Sequence, residues 1–400
     1  MTRTDLIVHR TIKFASERND RALRPQTRFY SQAGQGRGTS GLGLLEGVRN
    51  RMSNRLDRAA LRGKAQSVLG FVEPASLGPT LMHEHLIWDI RTPAMAVDPD
   101  QGPEITLCNC FRMNYGRWKV PGNLFLRCRD TAAKEVQAMV DAGGRTIVEL
   151  SNGGLRPDPH GLAEIARRTG ATIVMGCGHY VHDYQDRANE DRDVDSFASE
   201  MIAQVFEGAW GTSVRAGIIG EIGCQVPWTD LEKRVLRGAL IAQTETGAAV
   251  NIHPGRTVEQ PQEIAEFVVR HSGDISRVIF SHIDRTIFDE DTLLRLADTG
   301  CVIEFDLFGQ EQAFYTWADI DMPNDAGRLR FIRTLIDHGH LERIVISHDI
   351  CYKTRLTSFG GHGYTHIFEN ILPLMRSRGF SETEIEAILV GNPRRLLTFV

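Results

Sequence analysis

From about residue 65 onward, short apolar runs alternate with longer stretches whose apolar positions recur every three or four residues. The runs predict buried strands and the stretches predict amphipathic helices, so their alternation predicts βα units around a parallel sheet. Eight runs stand out: Thr80–Leu86, Thr146–Leu150, Thr172–Cys177, Ala216–Glu221, Ala248–His253, Val278–His282, Cys301–Phe305 and Ile344–Asp349. Helical periodicity fills Ala132–Asp141, Leu162–Arg168, Phe197–Phe206, Leu231–Thr244, Glu263–Arg270, Leu293–Ala297, Leu329–Ile336 and Thr383–Leu389. Thr229 with Glu232, and Ser381 with Glu384, have the spacing of a capping box, which satisfies free N–H groups at a helix start. Eight strands, each followed by a helix, predict an α/β fold of the (β/α)8 TIM-barrel type over residues 65–400. The longest insertion, Ile87–Asp130, carries Cys108, Cys110 and Cys128; without a second CxxC-type pair these read as ordinary thiols.

Composition narrows the class. The 400 residues are 42% hydrophobic and 24% charged, which suits a large core and excludes a fibrous or wholly disordered chain. No run of about 18 apolar residues is present to span a bilayer. The net charge of −5 hides an asymmetry: residues 1–64 hold fourteen Lys and Arg against five Asp and Glu, and the rest hold 32 against 46. An acidic body argues against nucleic acid as the main partner. Residues 1–64 lack periodicity and include the Gly/Ser-rich stretch Ser31–Gly43, so a basic, disordered leader is expected. It reads either as a transit peptide or as an overcalled start, with Met52 as the alternative first residue, so membership of residues 1–51 in the mature protein stays open. Seven cysteines, an odd number spread through a long chain, fit a reduced, cytoplasmic protein.

Ionisable residues in buried runs need a reason, and in this fold the C-terminal strand ends carry the chemistry. The first run contains His83 and His85, whose i, i+2 spacing puts both imidazoles on one side of a strand. Others close on Glu221, His253, His282 and Asp349. A single His at a strand end is ordinarily a satisfied core residue. Six ionisable groups at one barrel mouth would each cost several kcal/mol if buried without a partner. Four imidazoles and two carboxylates suit two divalent metal ions, expected to be Zn with Mn, Co or Fe open.

The segment GPTLMHEHL, Gly78 to Leu86, resembles the G-x-T-L-x-H-E-H-L signature of the phosphotriesterase family of the amidohydrolase superfamily. His253, His282 and Asp349 follow in that family's order. GEIGC around Glu221, FDLFG (Phe305–Gly309), DIDMP (Asp319–Pro323) and GGHGYTHI (Gly360–Ile367) resemble the phosphotriesterase-related proteins, in which a glutamate replaces the carboxylated lysine of the best-known members. The resemblance implies a binuclear metal hydrolase acting on a small-molecule ester, lactone or N-acyl amide through a hydroxide held between the metals. It assigns His83, His85 and Asp349 to a buried ion, His253 and His282 to a more exposed one, and Glu221 to both. It implies that Asp349 also moves the proton. Tyr180 is either a donor to the substrate oxygen or a rim aromatic. Lys353, Arg355 and His362, in the loop after the eighth run, are candidate substrate contacts, with solvated loop charges the bland reading; His366 and Asp306 are similar cases. A phosphoesterase needs several basic groups at the mouth, for which Lys353, Arg355 and Arg285 are the evident candidates. That reading ranks second, and a non-catalytic binding protein third. A homodimer is open.

Overall fold

The computed structural model describes residues 56–96, 102–115, 120–312, 315 and 317–400. Eight parallel strands run β1 Thr80–Glu84, β2 Thr146–Glu149, β3 Thr172–Met175, β4 Ile219–Cys224, β5 Val250–Pro254, β6 Val278–Phe280, β7 Val302–Phe305 and β8 Ile344–Ile346. β1 to β3 form one sheet and β4 to β8 another, with each strand beside its sequence neighbour. Backbone bonds join the sheets at both seams: Gly217 N–H donates to Met175 and Gly220 N–H to Cys177, while Asp349 N–H donates to His83. The strands therefore close into the TIM-barrel arrangement expected from the alternating pattern.

Period-two alternation sorts the side chains. Val148, Val174, Ile218, Ala249, Ile279, Val302 and Val345 form one buried cluster with Met82, Leu77 and Leu397. Their neighbours Ile147, Ile173, Ile219, Val250, Phe280, Ile303 and Ile346 belong to a second cluster shared with the helices. The barrel is thus a packed core enclosed by a second core.

The outer helices are α1 Arg129–Asp141, α2 Pro159–Thr169, α3 Val194–Phe206, α4 Asp230–Thr246, α5 Gln260–Arg270, α6 Glu290–Asp298, α7 Asp325–Asp337 and α8 Leu372–Ser377. α2 shows why they form. Asp158 caps it by accepting from Gly161 N–H, Pro159 occupies the first turn, and Leu162, Ile165, Ala166 and Thr169 bury one face. Gly170, at φ 72°, ends it in the left-handed conformation that glycine adopts without strain. Both capping boxes form, Thr229 with Glu232 at the start of α4 and Ser381 with Glu384 ahead of Glu382–Glu386.

Three boundaries differ from the sequence expectation in ways that matter for the site. Glu221 lies within β4, not at its end, because pairing continues to Cys224 opposite Pro254. β6 and β8 stop short of His282 and Asp349, which take left-handed backbone at φ 57° and 49°. Beyond β6 the ladder gives way to side chains, and His282 N–H donates to the Asp306 carboxylate at 3.0 Å. A turn of helix at Arg58–Leu61 also falls within the stretch read as leader; Leu61 is buried and Arg58 Nη1 donates to the Thr244 carbonyl at 2.7 Å. Residues 1–55, including Met52, lie outside the described residues. No helix among the described residues is long and apolar enough to cross a membrane.

Loops over the barrel mouth are tied by a buried ion pair. Arg328 on α7, fully buried, donates through Nε to Asp284 at 2.6 Å, through Nη1 to Asp325 at 2.8 Å and through Nη2 to the Gln310 carbonyl at 2.8 Å. Removing one partner of such a pair strands the other charge without water. Asp284→Ala is therefore expected to cost about 3–5 kcal/mol of unfolding free energy, read from the shift in denaturant midpoint.

Candidate metal centre

β1 and the residue that follows it deliver two buried imidazoles, His83 and His85, with a register shift against β2 between Leu81 and Glu84. His83 Nδ1 lies 2.9 Å from Asp306 Oδ2 and 3.1 Å from Ser281 Oγ. A nitrogen facing a carboxylate at that distance carries the proton, which leaves a lone pair on His83 Nε2. That Nε2 is buried without a hydrogen-bond partner and faces Glu221 Oε1 at 3.6 Å and Asp349 Oδ1 at 3.8 Å. His85 is arranged alike: Nδ1 is 2.9 Å from Ser151 Oγ, while Nε2 is 3.1 Å from Asp349 Oδ1 and 3.5 Å from Glu221 Oε1.

The other half comes from β5 and the second residue past β6. His253 Nδ1 sits 2.8 Å from Glu221 Oε2, and His282 Nε2 is 3.5 Å from the same oxygen. His282 Nδ1 is held by Asp306 Oδ1 at 2.9 Å. The two oxygens of Glu221 are thus divided, Oε1 facing His83 and His85 and Oε2 facing His253 and His282.

Donor atoms about 2.0–2.2 Å from a common ion lie roughly 3–3.5 Å from one another. The spacings within each half match, and both His83–His85–Glu221 and Glu221–His253–His282 have the ligand atoms to hold a cation. The orphaned His83 nitrogen, aimed at two carboxylates, points the same way. These residues fit two divalent ions that share Glu221, with Asp349 completing the first half. No metal-competent group among the described residues contains a cysteine, so Cys108, Cys110 and Cys128 stay outside this chemistry.

Electrostatics agree with the donor set. Burial opposes charge on His282, yet the Asp306 carboxylate outweighs it and raises the imidazole to about 9. His83 is likewise raised well above its usual value, burial being overcome by Glu221 and Asp306. Glu221 is driven the other way: burial opposes its ionisation, and His83, His253 and His282 hold it well below the carboxylate range. The geometry demands positive charge between these groups, which protons or metal ions satisfy.

A cavity of about 310 Å³ opens above, walled by His85, Glu221, His253, His282 and Asp349 and by Tyr180, Tyr184, Arg256, Arg285, Tyr315, Trp317 and Tyr352. Tyr180 reaches the centre, its hydroxyl 3.5 Å from His253 Nε2. Burial pushes its phenol well above the usual value, so it stays protonated and able to donate. Lys353, Arg355 and His362 stand elsewhere. Lys353 Nζ lies 4.4 Å over the Phe125 ring, Arg355 is buried against Tyr352, and His362 packs on Gly309 and donates to the Gly363 carbonyl at 3.0 Å. None belongs to the cavity wall. Arg256 and Tyr315, which do, carry no motif; the one cue for Arg256 is its place three residues after His253.

Comparison with known proteins accords with this geometry. The phosphotriesterase family model matches residues 63–397. An N-acetyltaurine hydrolase of Salmo salar is 41% identical over 347 residues, 85% of this chain and 99% of that protein. A resiniferatoxin-binding protein from Rhodobacter sphaeroides superposes at a TM-score of 0.80 with 32% identity, covering 86% of this chain and 97% of the other. The organophosphorus hydrolase of Deinococcus radiodurans superposes at 0.68 with 28% identity, covering 86% and 99%.

Asp306 holds one imidazole from each half, and partners of this kind orient metal-binding histidines. Asp306→Ala is expected to weaken divalent-metal binding by about 10–100-fold, measured by competition with a chelating indicator.

Proposed function

The chain belongs to the phosphotriesterase family, and on that footing we propose that it is a binuclear metal hydrolase of a small N-acyl amide bearing an acidic group. The observation that carries this reading is the division of the Glu221 oxygens between two histidine pairs, which a single ion would not require. A carboxylate in that place needs no carboxylated lysine. The 41% identity to an N-acetyltaurine hydrolase over nearly all of that protein favours an amide over a lactone or phosphotriester. Two guanidiniums in the cavity wall, Arg256 and Arg285, favour an anionic substrate.

Divalent ions bound here would activate a water and polarise the scissile carbonyl, as metals do in hydrolases generally. The protein's own groups do the rest. His83, His85, His253, His282 and Glu221 fix the donor geometry, with Asp306 holding the far ring nitrogens of His83 and His282 and Ser151 that of His85. The Tyr180 hydroxyl, protonated and beside His253, donates to the carbonyl oxygen as it gains charge. Asp349 faces the cavity with Oδ1 turned to His85, leaving Oδ2 to take the proton of the attacking water and deliver it to the leaving nitrogen. The C–N bond breaks as that nitrogen is protonated, giving a carboxylate and an amine.

Metal-loaded protein is expected to hydrolyse N-acetyltaurine and N-acetyl-β-alanine with higher kcat/KM than lactones, aryl esters, a phosphotriester or a phosphomonoester, with activity lost on chelation. A preference for a lactone or phosphotriester would overturn the amide assignment. Reconstitution with Zn should not depend on bicarbonate, and a requirement for it would reject Glu221 as the shared ligand. Asp349→Asn is expected to lower kcat by about 10²–10⁴-fold while the protein keeps two metals, checked by turnover alongside elemental analysis.

A further inference from the structure

We propose that Arg256 recognises the acidic group of the substrate and thereby sets the enzyme's preference for anionic amides. This rests on the amide reading above, and its test separates the two. Three arginines stand near the centre, and their hydrogen bonds distinguish them. Arg285 is fully committed: Nη1 donates to the Gly255 carbonyl at 3.2 Å and Thr286 Oγ1 at 3.3 Å, and Nη2 donates to the Pro254 carbonyl at 3.0 Å and reaches His253 Nε2 at 3.2 Å. It braces the end of β5 and the ring of His253. Arg355 lies outside the cavity wall.

Arg256 differs from both. A guanidinium carries five N–H donors. The hydrogen bond that Arg256 makes among the described residues is from Nη2 to the Tyr315 hydroxyl, at 3.4 Å, and its Nε is buried with no acceptor. The side chain lines the same cavity as Glu221, His253 and Asp349. Tyr315, Tyr180 and Tyr184 stand beside it, and none of the wall carboxylates, Asp183, Glu221 and Asp349, pairs with it among the described residues.

A guanidinium whose Nε is buried without an acceptor is unfavourable until an anion reaches it, and a carboxylate or sulfonate can accept from Nε and Nη together. Lactones and simple esters have no group to make that contact. The geometry therefore gives Arg256 a role in specificity apart from the hydrolytic centre.

The experiment compares wild type, Arg256→Gln and Arg256→Lys at matched metal content. Ethanesulfonate binding is measured by calorimetry, and kcat and KM are measured for N-acetyltaurine and its uncharged analogue N-acetylpropylamine. Arg256→Gln is expected to weaken ethanesulfonate binding by about 10–100-fold. It should raise KM for N-acetyltaurine by a similar factor, chiefly through KM, so that selectivity over the neutral analogue collapses. Lysine should restore part of both effects, supplying the charge without the fork. Equal losses on the two substrates, or unchanged ethanesulfonate binding in Arg256→Gln, would overturn the proposal. If wild type cleaves no amide while ethanesulfonate binding still depends on Arg256, the amide reading fails and the anion site stands. If amides are cleaved and neither variant alters anion binding, the reverse holds.

Discussion

Water does not reach the middle of a β-barrel, so each polar group placed there must find its partner on a neighbouring strand. Here much of that requirement is met by a layer at β5, just past β6, and at the end of β7, although Glu304 Oε1 makes no hydrogen bond. Glu304 Oε2 accepts from Asn251 Nδ2 and Ser281 Oγ, each at 2.8 Å, and Asp306 holds both His83 and His282. The interior is therefore graded. Apolar side chains from Met82 to Val345 fill the lower level, the hydrogen-bonded polar layer lies above them, and the candidate ligands stand on top. Without the middle layer, the imidazoles of His83 and His282 would have no fixed tautomer and no fixed direction.

The lower level and the ring of candidate ligands are legible in the sequence for the same reason. Strand position dictates which residues turn inward, and polar residues at inward positions stand out against Val and Ile. His83, His85, His253, His282, Glu221 and Asp349 all follow from that contrast. In the sequence Asp306 does not stand out from the loop candidates, because its orienting role depends on two histidines 223 and 24 positions away being brought to the same carboxylate. The strand limits at Glu221, His282 and Asp349 depart from the apolar runs because side-chain bonds and register shifts set them, and an apolar run shows neither.

The cavity wall was far less legible. Lys353, Arg355 and His362 lie in a loop whose path follows from local backbone bonds, such as Gly363 N–H to the Arg355 carbonyl at 2.7 Å, and from Gly361, where any Cβ would meet the Arg355 backbone. That path brings Cys351 and Tyr352 to the cavity and turns the cations away from it. Arg256 and Tyr315 arrive from two different loops, and their meeting has no counterpart in spacing along the chain.

The left-handed backbone at His282 and Asp349 has a further meaning. Residues with a Cβ adopt φ near +50° at a cost of order 1–3 kcal/mol, and glycine would adopt it freely. Glycine at either place would relax the fold and delete a candidate ligand. The chain therefore gives up stability at the two strand ends where it places its chemistry, and a variant selected only for heat resistance would be drawn toward an inert barrel.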